Sequence, residues 1–126
     1  MGEGRPVPAR DRRPLRVVVL NGRRVDAGSA CLSIDDPVVR FGEGLLETMR
    51  AEWGAVLFLD RHLDRLLRSA GELGLAPMPS RVEMERDVRA AVRACPGDVL
   101  RVRLTATPGP TRSEERRVGK ECLSSC

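Results

Sequence analysis

Of the 22 lysine and arginine residues in this sequence, only Lys120 is a lysine. A lone side-chain amine can act as a nucleophile or as a point charge on a phosphate. It can also be a solvated tail charge, or a piece of sequence foreign to the rest. Its setting, Arg117-Val118-Gly119-Lys120-Glu121-Cys122, echoes the end of a phosphate-binding loop. It lacks the hydroxyl residue after the lysine and the earlier glycine that such a loop requires. The second candidate is His62 with Arg65, three residues apart. A guanidinium presents a planar fork that fits two phosphate or carboxylate oxygens. Periodicity leaves Arg65 open to two readings, an anion contact or an ordinary solvated arginine. With one histidine there is no Ser-His-Asp arrangement to assign, and no carboxylate pair stands out. Phe41-Gly42-Glu43-Gly44 has no third glycine at dinucleotide-loop spacing, so its glycines are expected to bend the chain before a strand. Cys31, Cys95, Cys122 and Cys126 show neither a disulfide framework nor zinc-ligand spacing, and reduced thiols are expected.

The elements that would position these groups are readable from pattern. Val17 to Leu20 is a β-branched run that meets Asn21-Gly22 and returns through Arg23 to Asp26; Asn-Gly is the signature of a tight hairpin. A second hairpin is expected from Leu45 to Leu59, turning at Trp53-Gly54; a helix over 45–52 is the alternative, since Leu, Glu and Met favour helices, and Gly44 and Gly54 bracketing a segment of strand length favour the strand. Leu45, Glu47 and Met49 would alternate with Leu46, Thr48 and Arg50. Two helices follow. In the first, Asp60 is expected to cap. Leu63, Leu66, Leu67, Ala70 and Leu73 form the apolar stripe, and Gly74 ends it. In the second, Ser80 and Glu83 form a capping box, and Val88, Ala91, Val92 and Cys95 form the apolar face. Asp98 to Thr107 alternates as a final strand, stopped by Pro108-Gly109-Pro110. This order implies an α+β fold, a mostly antiparallel sheet from two hairpins plus a C-terminal strand, covered on one face by two helices.

Length allows one domain. Residues 1–15 read as a disordered basic arm, rich in Pro, Gly and Arg. The net charge of +4 sits in the two ends; residues 17–111 balance to zero. A nucleic-acid surface needs a basic stripe on the fold itself, and Phe41, Trp53 and Phe58 are all the aromatics there are, so nucleic-acid binding is not expected. No apolar run approaches a membrane span and no signal-peptide pattern opens the chain; a cytoplasmic protein is expected.

The stretch Arg40 to Leu75, "RFGEGLLETMRAEWGAVLFLDRHLDRLLRSAGELGL", with "LNGRRVD" before it and "VLRVRLTAT" after it, resembles the N-terminal half of class IV aminotransferases, the fold-type IV pyridoxal-phosphate enzymes. That group includes branched-chain and D-amino-acid aminotransferases and 4-amino-4-deoxychorismate lyases. The resemblance covers about residues 16–108 and rests on the order of its motifs. It implies pyridoxal 5'-phosphate as cofactor, with Arg65 of "HLDRL" gripping its phosphate. It also implies that Phe41, Leu46 and Thr48 face cofactor or substrate, and that Arg101 meets a substrate carboxylate. Phe41 stands where branched-chain enzymes usually carry tyrosine. Phe-Gly-acid-Gly and Thr48 look more like the lyase and its close aminotransferase relatives. D-amino-acid enzymes place a tyrosine at the Leu46 position and an arginine near Ala106, and both are absent.

The family's chemistry needs a lysine that forms a Schiff base with the cofactor and moves the α-proton. Residues 1–111 contain no lysine. Residues 111–126 lose the apolar patterning, and Arg112 to Cys122, "RSEERRVGKEC", reads like a translated sequencing-library adapter. Those residues are expected to be a non-native tail rather than part of the domain; a genuine C-terminal tail is the alternative. The expectation is therefore residues 16–110 as the first domain of a class IV aminotransferase-like enzyme, lacking its second domain and inactive alone. The parent would be a homodimer moving an amino group between an amino acid and a 2-oxo acid. The alternatives are pyruvate elimination from 4-amino-4-deoxychorismate, in the folate pathway, and a non-catalytic α+β interaction module. No metal site is expected.

Overall fold

The structure, a computed structural model, describes residues 16–110. Strands β1 (Val18–Leu20) and β2 (Arg23–Val25) pair antiparallel, with Val18 opposite Val25. Helix α1 (Pro37–Phe41) follows, then β3 (Leu45–Glu52), β4 (Ala55–Val56), α2 (Leu59–Leu73), α3 (Arg81–Ala94) and β5 (Val99–Ala106). The α+β class and the antiparallel pairing match the expectation. The strands, however, divide between two sheets: β1–β2 stands apart from a three-stranded sheet ordered β4-β3-β5.

Both hairpin turns use positive φ angles at two successive residues. Asn21 and Gly22 lie at 50° and 82°, and Trp53 and Gly54 at 52° and 83°. This geometry matches the twist of the flanking strands. The second hairpin's return strand is shorter than expected. It stops at Val56, because Phe58 takes a left-handed conformation (φ 55°) and the chain turns directly into α2 at Leu59. Asp60 therefore falls inside the first helical turn, and the helix start has no side-chain cap. Asp60 and Asp64 instead face Arg81 of α3, Asp64 as a direct ion pair. The α3 start follows the expected chemistry. Ser80 Oγ accepts from the Glu83 amide, and the Glu83 carboxylate accepts from the Ser80 amide.

Helix α1 lies between the two hairpins, in a stretch for which the sequence pattern indicates no element. Asp36-Pro37 is its start: the carboxylate of Asp36 accepts from the Val38 amide at 2.9 Å, and Pro37 occupies the first turn. Asp36 is buried, and its other oxygen accepts from Thr107 Oγ1 at 2.9 Å. One carboxylate thus caps a helix and ties the loop to the end of β5. Cys31 is disulfide-bonded, which corrects the expectation of four reduced thiols; Cys95 is free.

The core lies between the helices and one face of the larger sheet. Met49 and Ala51 of β3 and Val102 and Ala106 of β5 pack against Leu59, Leu63 and Leu66 of α2 and Met84, Val88 and Val92 of α3. Leu63 and Leu66 are fully enclosed, and each contributes roughly 1.5–3 kcal/mol by leaving water. Leu73, expected in the stripe, is exposed at the end of α2. Met84 takes a core place that the helical pattern had not assigned.

Candidate functional site

Strand alternation sends Glu47, Met49 and Ala51 to the helix-covered face. Two of these are apolar. The third is a carboxylate buried at 6 % exposure, and a buried charge must be partnered. Its partners come from the exposed flank of α2, where residues 62 and 65 lie on one side of the helix. Arg65 Nε donates to Glu47 Oε1 at 2.8 Å, and Arg65 Nη2 donates to Oε2 at 2.6 Å. His62 Nδ1 lies 2.7 Å from the same Oε2. The Arg65 hydrogen bonds, assisted by His62, hold the Glu47 carboxyl below its ordinary value against the opposing effect of burial. The same pair holds Arg65 even more firmly in its charged form.

Glu47 occupies the side-on edge of the guanidinium, Nε with one Nη2 hydrogen. Nη2 also lies 3.5 Å from His62 Nδ1; of the five N–H donors fixed in an arginine, both Nη1 hydrogens on the end-on side remain without a partner among the described residues. The Arg65 side chain is 62 % exposed, and it borders an open cavity of about 450 Å³ lined by Phe58, Arg61, His62, Asp64 and Arg68 as well. A locked planar fork with one free edge is suited to two oxygens of a phosphate or carboxylate.

The other expected contacts lie elsewhere. Leu46 and Thr48 project from the opposite, open face of the sheet. The register places Thr48 beside Arg103 and Arg50 beside Arg101, so Leu46, Thr48 and Arg101 share a surface with two further arginines, Arg50 and Arg103. Only Arg50 of these has a carboxylate near it, Glu52 at 2.6 Å, among the described residues. Phe41 ends α1, exposed, with Arg40 over its ring at 5.0 Å. None of these four lines the Arg65 cavity. Sequence reasoning missed Glu47. The signal was present: a carboxylate on the core-facing phase of a strand, followed by a histidine and an arginine three apart on the covering helix. Among the described residues no cluster of metal-ligating side chains occurs, and no helix is long and apolar enough to cross a membrane.

Comparison with known proteins identifies the family. The family described as Amino-transferase class IV matches residues 44–122. A D-alanine aminotransferase of Bacillus licheniformis is 32 % identical over 75 residues, which is 60 % of this chain and 26 % of that protein. The branched-chain aminotransferase of Thermoproteus uzoniensis, solved with norvaline, superposes with TM-score 0.65 at 33 % identity, over 81 % of this chain and 36 % of that one. A hypothetical aminotransferase from Mycobacterium tuberculosis in a PLP-bound form superposes with TM-score 0.66 at 30 % identity, over 77 % of this chain and 35 % of that one. This chain thus spans about a quarter to a third of the length of these relatives. Enzymes named for different substrates match at nearly equal identity, so the similarity reports the family and not the substrate. The matched segment holds the buried Glu47, the His62–Arg65 pair and the whole of the larger sheet, and the chain belongs to the class IV aminotransferase family.

Proposed function

We propose that residues 16–110 are the phosphate-gripping first domain of a pyridoxal-phosphate enzyme that moves an amino group between an amino acid and a 2-oxo acid. The observation that carries this reading is the Glu47–Arg65 pair. It fixes the guanidinium from the side and leaves its end-on edge to an open cavity. Pyridoxal 5'-phosphate fits at its phosphate: two oxygens match the free edge of Arg65, and the cavity walls are basic. When bound, the cofactor supplies an electron sink for the substrate's α-carbon.

The chain's own residues orient and bind. Arg65 holds the phosphate, and Glu47 and His62 hold Arg65. On the open sheet face, Arg101 is assigned to the substrate carboxylate, with Leu46, Thr48 and Phe41 as apolar and polar wall around the reacting groups. The amine that the reaction requires is assigned to polypeptide other than this chain, because its one lysine, Lys120, stands in a segment without the domain's patterning; the 126-residue chain is proposed to be inactive by itself. The exposure of Leu32, Ile34, Val39, Phe41 and Leu46 supports this reading, because apolar side chains left open to water are available to pack against further polypeptide. A second reading, elimination of pyruvate from 4-amino-4-deoxychorismate, is favoured by Phe41-Gly42-Glu43-Gly44 with Thr48. It uses the same phosphate anchor.

The test compares pyridoxine 5'-phosphate with pyridoxine, neither of which has an aldehyde to react with stray amines. Calorimetric titration of the chain should show binding of the phosphate ester and none of the alcohol. Equal affinity for the two would remove the phosphate-grip reading.

A further inference from the structure

Arg65 offers geometry but little net charge, since Glu47 neutralises it at hydrogen-bond distance. A phosphate monoester carries about −1.5 to −2 charges near pH 7. Some other group must supply the compensating charge. The same exposed stripe of α2 carries Arg61 four residues before Arg65 and Arg68 three residues after it, and both line the cavity. Helical neighbours at these spacings lie on one side.

Asp64, the acid that lines the cavity, is already engaged. Asp64 is ion-paired to Arg81 of α3, which also lies 3.8 Å from Asp60. Among the described residues neither Arg61 nor Arg68 has a carboxylate within ion-pairing distance. Arg61 instead sits over the Phe58 ring, 5.4 Å from its centroid. A guanidinium stacked this way keeps its donors free. The Phe58 backbone that positions the ring is left-handed, with φ 55°, a conformation costly for a non-glycine residue. The cavity thus holds a neutral, directional pair (Glu47–Arg65), Asp64 tied to Arg81 of α3, and two arginines, Arg61 and Arg68, with no carboxylate at ion-pairing distance among the described residues.

We propose that Arg61 and Arg68 are the charge-matching residues of this site: they draw in and neutralise a phosphate-monoester dianion, while Arg65 fixes its orientation. This rests on the phosphate-grip reading above. The two roles separate by salt. Exposed charges act over a distance that ionic strength shortens, whereas a bidentate hydrogen bond is short-ranged.

The experiment titrates the chain and its R61Q, R68Q and R61Q/R68Q variants with pyridoxine 5'-phosphate at several salt concentrations. Each single variant should lose roughly fivefold in affinity at low salt, the size expected for an exposed charge contact. The double variant should lose more and show a much flatter dependence of affinity on salt. Circular dichroism verifies that the exposed substitutions leave the fold in place. If the double variant keeps the affinity and salt dependence of the unaltered chain, the charge-matching role is wrong. The phosphate grip then still stands, provided the ester is preferred over pyridoxine. If the unaltered chain does not prefer the ester, both fail together.

Discussion

Glu47 meets Arg65 edge to edge, with Nε on Oε1 at 2.8 Å and Nη2 on Oε2 at 2.6 Å. The acid belongs to the sheet and is buried; the base belongs to the helix and is largely exposed. The relationship therefore transmits the rigidity of the core to a side chain at the surface. A long arginine normally loses rotamer entropy when it takes a ligand. Here the sheet has already fixed it.

Removing that support should weaken both stability and binding. Glu47→Gln keeps the shape but deletes the charge, and one amide cannot accept two parallel bonds from a guanidinium. Urea denaturation is expected to show a loss of about 1–2 kcal/mol, at the lower end of charge-assisted hydrogen bonds because Arg65 is exposed. Affinity for pyridoxine 5'-phosphate should fall as well, since the fork is no longer held. An unchanged midpoint and unchanged affinity would show the pair to be ornamental.

Acid should dissolve the same contact. The Glu47 carboxyl is lowered from an ordinary value of 4.5, first by Arg65 and then by His62. Below 4.5 the unfolded chain begins to bind a proton that the folded chain still refuses. The contribution is fully present above that value and is lost as pH falls through the lowered one. Glu83, lowered by its bonds to Ser80, acts in the same direction. Melting temperatures from pH 7 down to pH 3 should decline below about pH 4.5, and Glu47→Gln should shallow that decline. A decline of equal steepness in the variant would assign the acid limb to other groups.

Much of this molecule could be read from its residues, and the exceptions share a cause. Asn21-Gly22 and Trp53-Gly54 announced their turns because only particular residues accept positive φ. Ser80 and Glu83 announced α3 because both capping bonds are local. Asp36-Pro37 carried the same kind of local signal, but the helix it starts is five residues long and shows no periodicity. Asp60 failed as a cap because Phe58 turns the chain earlier, a choice set by the packing of Leu59 and not by local preference. Arg65 was legible as a candidate only. Its meaning depends on Glu47, eighteen positions away, and that contact exists only once α2 covers β3. The two-sheet division was likewise invisible, since strand pattern reports a strand's faces and not its neighbours.

Gly44 gives a steric prediction. A Cβ there would lie 2.7 Å from Val38 Cγ2 and 3.4 Å from the Ala106 carbonyl oxygen. The glycine lets α1 and the end of β5 approach the start of β3. Gly44→Ala should cost about 1–3 kcal/mol as overpacking, read by thermal or urea unfolding. Wild-type stability in the variant would mean that Val38 swings aside freely and the close approach is incidental.

Residues 111–126 lie outside the described structure, and the family match runs to residue 122. The change in composition at Arg112 predicts that genomic sequencing through the codon for Thr111 will depart from "RSEERRVGKEC" and continue in frame into a lysine-bearing segment. A genomic frame that reproduces Arg112 to Cys126 and then stops would contradict this.

The most direct measurement is the pyridoxine 5'-phosphate isotherm of Arg65→Lys. Lysine keeps the charge but has no planar fork and cannot meet Glu47 side-on while presenting a second edge. The account predicts at least a roughly tenfold loss of affinity with the salt dependence retained. Affinity equal to that of the unaltered chain would show that charge alone suffices at this position, and that the locked fork is not what grips the phosphate.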